Sequence, residues 1–286
     1  MARGRSQTIR QIQGMVRTGS GTLPDLAEGM QNRHDSMFSP NGSRGGHAST
    51  RESPPAGRTE GMNEQERIDV DKQDRRGRLL EARRRIDPAQ CLDAGRKLAD
   101  LLAGLVLARI ERSPGGQSLT VAAFASIRGE IAMGPSLDLL LGRGDQVLIP
   151  MLGTGTEVGW GRLQSRQDLD DMKRIPGWRP DEPDMPALPA QALGTADLIL
   201  VPALAIDHAG IRLGRGGGWY DRALALRADR TPVVGICWPG EFVEAPLPHL
   251  DHDLPVDAVL TPAGFTPTAT GLSRRPGTDH NGDEQG

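Results

Sequence analysis

Residues 200–224 read LVPALAIDHAGIRLGRGGGWYDRAL. An apolar run leads in, and five glycines (Gly210, Gly214, Gly216, Gly217 and Gly218) are interleaved with Arg212 and Arg215. Trp219, Tyr220 and Asp221 then open a stretch of helical character. Taken back to Ala196, the lead-in ADLILVPALAI is apolar almost without a break, the pattern of one strand buried on both faces of a sheet. Strand, glycine loop and helix in that order place the loop at the carboxyl edge of an open α/β sheet, where such sheets bind ligands.

The same alternation extends in both directions. A charged helical stretch runs from Asp71 to Arg85, and Asp87-Pro88-Ala89-Gln90 supplies a cap for a second helix reaching about Ile110. Leu92, Leu98, Leu101, Leu102 and Leu105 form its expected apolar face. SLTVAAFA (118–125), DQVLIP (145–150), EVGWGRL (157–163), PVVGICW (232–238) and PVDAVLT (255–261) read as further strands. A helix is expected around SLDLLLGRG, and residues 164–194 read as irregular, with Asp168 to Asp171 a solvated loop. The fold class is α/β: a three-layer α/β/α single domain over 71–264 with a mainly parallel sheet. Residues 1–70 read as a disordered N-terminal extension and 265–286 as a disordered tail, since neither carries apolar periodicity. The arginine-bearing start is too poor in apolar residues for a targeting helix, and the functional chain is expected to begin near Met62.

Composition excludes several classes. The formal net charge of the 286 residues is −3, which argues against a general nucleic-acid surface and makes any anion site local. No apolar run approaches the ~18 residues of a membrane span. Cys91 and Cys237 form no CxxC pair and read as buried thiols in a reducing, cytoplasmic setting. His249 and His252 lack a third ligand cluster and read as structural or surface histidines.

Glycines allow positive φ and close approach of a ligand to backbone N–H groups. The following helix would direct its free N–H groups and dipole to the same place. Arg212 and Arg215 add fork-shaped donors for phosphate oxygens. Asp221 is suited to hold Mg²⁺ against them. These features point to the polyphosphate of a nucleotide, although the loop is neither a Walker A nor a dinucleotide fingerprint. From physics alone the same residues also fit a tight connection with incidental arginines, with Asp221 a helix-dipole partner.

R-L-G-R-G-G-G-W-Y-D at 212–221 resembles the signature of the 5-formyltetrahydrofolate cyclo-ligase (methenyltetrahydrofolate synthetase) family. VLIP at 147–150, the region Trp178 to Pro183 and the run from His252 match in order, so the resemblance covers about residues 72–264. It implies a monomeric ATP- and Mg²⁺-dependent enzyme that converts 5-formyltetrahydrofolate to 5,10-methenyltetrahydrofolate, with neither nucleic acid nor membrane as partner. Carried over, Arg212, Gly214, Arg215, Gly216, Gly218, Trp219 and Tyr220 form the ATP loop. Lys72 and Arg76 reach the phosphates from across the cleft, unless they belong to a solvated charged face. Asp221 is implied as the metal ligand, with Glu130, Trp178 and Tyr220 on the folate side. The chain departs from the pattern at Ala132 and Met133, where an acid and a threonine often follow the glutamate. That departure supports the alternative of a nucleotide-binding paralogue without folate turnover.

Overall fold

A computed structural model describes residues 61–110, 118–152, 158–175 and 179–273, with the backbone only at 107–110. Of the expected extension at 1–70 and tail at 265–286, residues 1–60 and 274–286 lie outside the described residues, as does Trp178.

Helix α1 spans Glu64–Arg84. Asn63 starts it: its Oδ1 accepts from Glu66 N, and Glu66 Oε2 accepts from Asn63 N, both at 2.9 Å. Glu64 and Glu66 in the first turn and Arg83 and Arg84 in the last complement the helix dipole. Residue 71 therefore lies within α1, well past its start. Helix α2 spans Pro88–Ile110 and opens as its sequence indicates. Asp87 Oδ1 accepts from Ala89 N at 2.7 Å, and Gln90 Oε1 accepts from Asp87 N at 3.2 Å. Leu98, Leu102 and Val106 are fully buried, but Leu92 is exposed. It sits about 100° round the helix from Cys91, which takes the buried place in the stripe.

The remaining elements follow in order: β1 (Thr120–Ala122), α3 (Gly134–Gly142), β2 (Gln146–Met151), β3 (Gly159–Leu163), α4 (Arg166–Asp170) and β4 (Leu188–Pro189). Next come β5 (Leu198–Pro202), β6 (Ala205–Asp207), β7 (Arg212–Leu213), α5 (Trp219–Leu224) and β8 (Val233–Ile236). The last are β9 (Phe242–Val243), β10 (Ala258–Thr261), β11 (Gly264–Pro267) and α6 (Ala269–Ser273). Residue 264 thus opens a strand that pairs antiparallel with β10. The main sheet has the order β11-β10-β8-β5-β1-β2-β3-β4. Its five central strands, from β10 to β2, are mutually parallel, and its outer strands are antiparallel.

Alternate strand residues feed two cores. Val121, Val147, Leu200 and Val234 pack with Leu98, Leu102 and Leu137 on one face. Ala122, Leu148, Val201 and Val233 pack with Leu193, Ala223 and Leu224 on the other. Covering both faces is why these strands read as continuous apolar runs. Helices α2 and α3 form one outer layer, and α5 with the 3₁₀ turn Ala190–Thr195 forms the other. No helix among the described residues is long and apolar enough to cross a membrane.

Residues 64–70, 265–267 and 269–273, expected as disordered, belong to α1, β11 and α6, and two further expectations change. The single strand expected at 196–206 is two strands, because β5 ends at Pro202 and β6 joins a separate sheet of order β7-β6-β9. Ala203 N still donates to the Ile236 carbonyl of β8 at 3.0 Å, and beyond it the chain leaves the main sheet. The region 164–194 is not wholly irregular. Ser165 caps α4 across the acidic run, its Oγ accepting from Asp168 N at 3.2 Å, and Leu188–Pro189 adds the edge strand β4.

From β1 the chain steps to β2 on one side and later enters β5 on the other. The carboxyl ends of β1 and β5 therefore flank the topological switch point, where open α/β sheets form a ligand crevice. The loop after β1 is held from below: Ala132 N donates to the Cys91 carbonyl at 3.0 Å, and Gly95 lies beneath the Ala132 carbonyl. A Cβ on Gly95 would stand 2.1 Å from that oxygen. Alanine gains about 1 kcal/mol over glycine in a helix interior, but no side-chain rotation relieves this clash with backbone. Gly95→Ala should destabilise the fold by about 1–3 kcal/mol, measured as a lower urea midpoint at unchanged slope. An equal or higher midpoint would contradict the packing described.

Candidate functional site

A cleft of about 910 Å³ opens at this switch point. The loop from Arg212 to Asp221 forms one wall, Lys72 and Arg76 of α1 face it, and Glu130 lies at its base. Every sequence-predicted site residue within the described part of the chain lines this one cavity.

The loop is built around Arg212, whose side chain is 4% exposed. Its Nη2 donates to Asp221 Oδ1 at 2.8 Å, and its guanidinium lies 5.6 Å from the centre of the Tyr220 ring. Gly214 makes room for the returning side chain, since a Cβ there would sit 2.9 Å from Arg212 Nη1. Gly216 (φ 101°) and Gly218 (φ 61°) take left-handed conformations that other residues rarely adopt. Gly218 ends the loop as the N-cap of α5 and brings no capping side chain. Helix α5 has only 6 residues, shorter than expected from WYDRALALRA. Its dipole is correspondingly small, and the site's positive character rests on the guanidinium groups and the ammonium.

Helix α1 closes the cleft through its cations. Arg76 Nε donates to the Gly214 carbonyl at 2.9 Å, and the buried Lys72 ammonium pairs with Asp253. Neither residue belongs to a solvated face. Burial alone would raise the Asp253 carboxyl, but Lys72 and the Leu250 N–H hold it below the usual carboxylate range. Arg83 forms a two-point pair with Glu241 at 2.7 and 2.6 Å.

Glu130 is almost fully buried. Its Oε2 accepts from Ile127 N at 3.1 Å, while its Oε1 lies 3.4 Å from Arg215 Nε and 3.8 Å from Arg83 Nη1. Burial raises its pKa above the ordinary carboxylate value, and the Ile127 N–H, Arg215 and Arg83 oppose that rise. The expected phosphate and folate subsites therefore adjoin through Arg215. Burial also pushes the Tyr220 hydroxyl upward, with Glu130 adding to the effect, so the ring remains neutral.

The donor set fits Mg²⁺ in a limited way. Among the described residues no three His, Cys, Asp or Glu side chains converge as a metal cage. Asp221 and Asp253 do line the cleft. Mg²⁺ takes one or two carboxylates and fills its remaining positions with water and substrate phosphates. Asp221 suits that role if it shares its charge between the metal and Arg212. His249 contacts the carbonyl of Leu247 at 3.3 Å and His252 lies at the cleft wall, and neither joins a metal cluster.

Ala132 and Met133 do not line the cleft. Met133 is fully buried in the core, and Ala132 packs on Gly95. Their departure from the resembled pattern is one of packing behind the loop. Arg83, Glu241 and Asp253 were not legible as site residues. The available signal was the spacing of Lys72, Arg76, Leu79 and Arg83, which puts them on one helical face.

A model of the 5-formyltetrahydrofolate cyclo-ligase family matches residues 68–262. The 5-formyltetrahydrofolate cyclo-ligase of Mycolicibacterium smegmatis is 33% identical over 189 residues, covering 64% of this chain and 90% of that protein. Its Escherichia coli counterpart is 29% identical over 188 residues, covering 65% and 97%. The solution structure of Aquifex aeolicus 5,10-methenyltetrahydrofolate synthetase superposes with a TM-score of 0.53 at 24% identity. That match covers 75% of this chain and 99% of the other, and it shows a shared fold.

Asp253→Asn leaves the buried Lys72 charge without its partner and should cost about 2 kcal/mol at neutral pH. A carboxyl depressed in the folded state stabilises it above the unfolded pKa and loses that contribution as pH falls through the folded value. The gap between native and variant urea midpoints should therefore narrow as the medium is acidified below about pH 5. A gap independent of pH would contradict the pairing.

Proposed function

The chain belongs to the 5-formyltetrahydrofolate cyclo-ligase family, and on that premise we propose that its cleft joins Mg-ATP to 5-formyltetrahydrofolate, yielding 5,10-methenyltetrahydrofolate, ADP and phosphate. The observation supporting this reading is the convergence of Lys72, Arg76, Arg212 and Arg215 with the glycine backbone and Glu130 on a single cavity. Four cations and bare peptide suit a polyphosphate. A carboxylate near a tyrosine ring, adjoining them through Arg215, suits a flat heterocycle bearing N–H groups.

In the proposed reaction the formyl oxygen attacks the γ-phosphorus and ADP departs. The resulting N5 iminium phosphate is attacked at carbon by N10. Phosphate then leaves with the C–O bond electrons, and N10 gives up its proton. Such a sequence needs positioning and charge neutralisation more than a protein nucleophile. Arg215 and Arg212 would balance the charge developing on the transferred group, while Lys72 and Arg76 hold the remaining phosphates from α1. Glu130 would accept hydrogen bonds from the pterin ring, with Tyr220 packed alongside. The resemblance also implies Trp178, outside the described residues, for the pterin or nucleotide side. Mg²⁺ held by Asp221 would neutralise phosphate oxygens.

Each of these cations already has an acceptor: Asp253 for Lys72, the Gly214 carbonyl for Arg76, Asp221 for Arg212 and Glu130 for Arg215. ATP binding is then an exchange of partners. Metal charge at Asp221 would compensate that carboxylate for loss of Arg212.

Adding 5-formyltetrahydrofolate and Mg-ATP should produce the near-ultraviolet absorbance of methenyltetrahydrofolate. Arg215→Ala and Asp221→Ala should each lower turnover at least ~10²-fold. Full activity in either variant removes that residue from the mechanism. ATP binding without turnover by the native chain would instead identify a nucleotide-binding paralogue.

A further inference from the structure

Arg83 joins three neighbouring strand ends. Its side chain is 5% exposed, and its Nε and Nη2 are committed to Glu241. Nη2 also donates to the Ala203 carbonyl, and Nη1 faces Glu130 Oε1 at 3.8 Å. Glu130, Ala203 and Glu241 follow the carboxyl ends of β1, β5 and β8, which are adjacent in the sheet. The backbone repeats the connection. Gly129 has φ 82°, and a Cβ there would stand 2.8 Å from the Arg83 carbonyl oxygen. Trp238 closes the junction, its Nε1 donating to the Gly129 carbonyl at 3.0 Å and its backbone N to Glu241 Oε2 at 2.9 Å.

We propose that Arg83 is a positioning residue for the folate subsite: anchored by Glu241, it holds the Glu130 carboxylate toward the cleft and balances its charge when Arg215 is drawn to the phosphates. The inference rests on the folate role given to Glu130 above. Arg215 can serve the phosphates only by loosening its 3.4 Å contact with Glu130. Arg83 is then the remaining cation against that carboxylate, and its fork cannot follow a ligand because Glu241 fixes it. Around Glu130 the other titratable groups are Tyr220 on α5, Cys237 and Glu241 beyond β8, and Cys91 on α2. Burial keeps the phenol and both thiols neutral, and Glu241 is balanced by Arg83. Burial raises Glu130, so losing Arg83 would raise it further and losing the Glu241 charge would lower it.

The two changes therefore have opposite signs. In the full chain, Arg83→Met should raise the KM for 5-formyltetrahydrofolate at least ~10-fold, the scale of losing an outer partner of a binding group. The KM for ATP should rise by a smaller factor, because Arg215 then leaves Glu130 without a second cation. The acid limb of kcat/KM for folate should move to higher pH in Arg83→Met and to lower pH in Glu241→Gln. A folded Arg83→Met with unchanged folate KM overturns the proposal. Equal rises in both KM values with a stationary acid limb do the same, since a purely structural role predicts them. If circular dichroism shows that Arg83→Met does not fold, Glu241→Gln decides: a limb displaced downward supports the proposal, and any other result overturns it. Glu130→Gln separates the two levels. If it leaves folate KM and the limb unchanged, the folate reading fails and the proposal falls with it. If it alters both while Arg83→Met alters neither, only the role of Arg83 is wrong.

Discussion

Helix α1 sits across the carboxyl edge of the sheet without fully burying any apolar side chain. Its buried residues are Lys72 and Arg83, and Leu79 makes its partly buried apolar contact with Ala205, Leu213 and Leu247. A surface helix ordinarily docks by burying an apolar stripe. Here docking depends on Lys72 with Asp253, Arg76 with the Gly214 carbonyl and Arg83 with Glu241. Buried ion pairs add little net stability because desolvation offsets their attraction. They do fix geometry, because breaking one strands a charge in a poor medium. The same contacts that attach the helix also hold cations at the switch point, where a polyphosphate would need them.

This arrangement gives each cation of the site an acceptor within the protein. Carboxylates within the protein pair Lys72, Arg212 and Arg215, and the Gly214 carbonyl accepts from Arg76. A ligand that supplies phosphates and a divalent metal together offers replacement partners of both signs. Arg215 stands where the two proposed subsites meet, and exchange at that residue couples nucleotide binding to the state of Glu130.

Much of this architecture is legible along the chain. Strands covered on both faces leave continuous apolar runs, and the Asp87-Pro88-Ala89-Gln90 cap and the glycine loop carry their geometry in residue type. Local text hides other features. Pro202 reads as part of one long strand, although the chain passes from the main sheet to the second sheet just beyond it. Leu92 fell outside the buried stripe by a single position. Arg83 is one of six arginines in α1, and its partner Glu241 lies 158 residues away. No periodicity reports a pairing of that range. Lys72 and Arg76 could be placed only through resemblance, and the spacing that unites them with Arg83 becomes meaningful once Asp253 and Glu241 are seen opposite.

The proposed chemistry turns on peptide and guanidinium groups between Arg212 and Asp221 receiving the phosphates of ATP. Amide resonances of Gly214, Gly216 and Gly218 offer the most direct view, followed by ¹⁵N-correlated NMR during titration with a non-hydrolysable ATP analogue and Mg²⁺. These resonances should shift to saturation with the analogue and remain in place with adenosine, which lacks phosphate. Unmoved loop amides under saturating analogue, with shifts confined to another surface, would contradict the account.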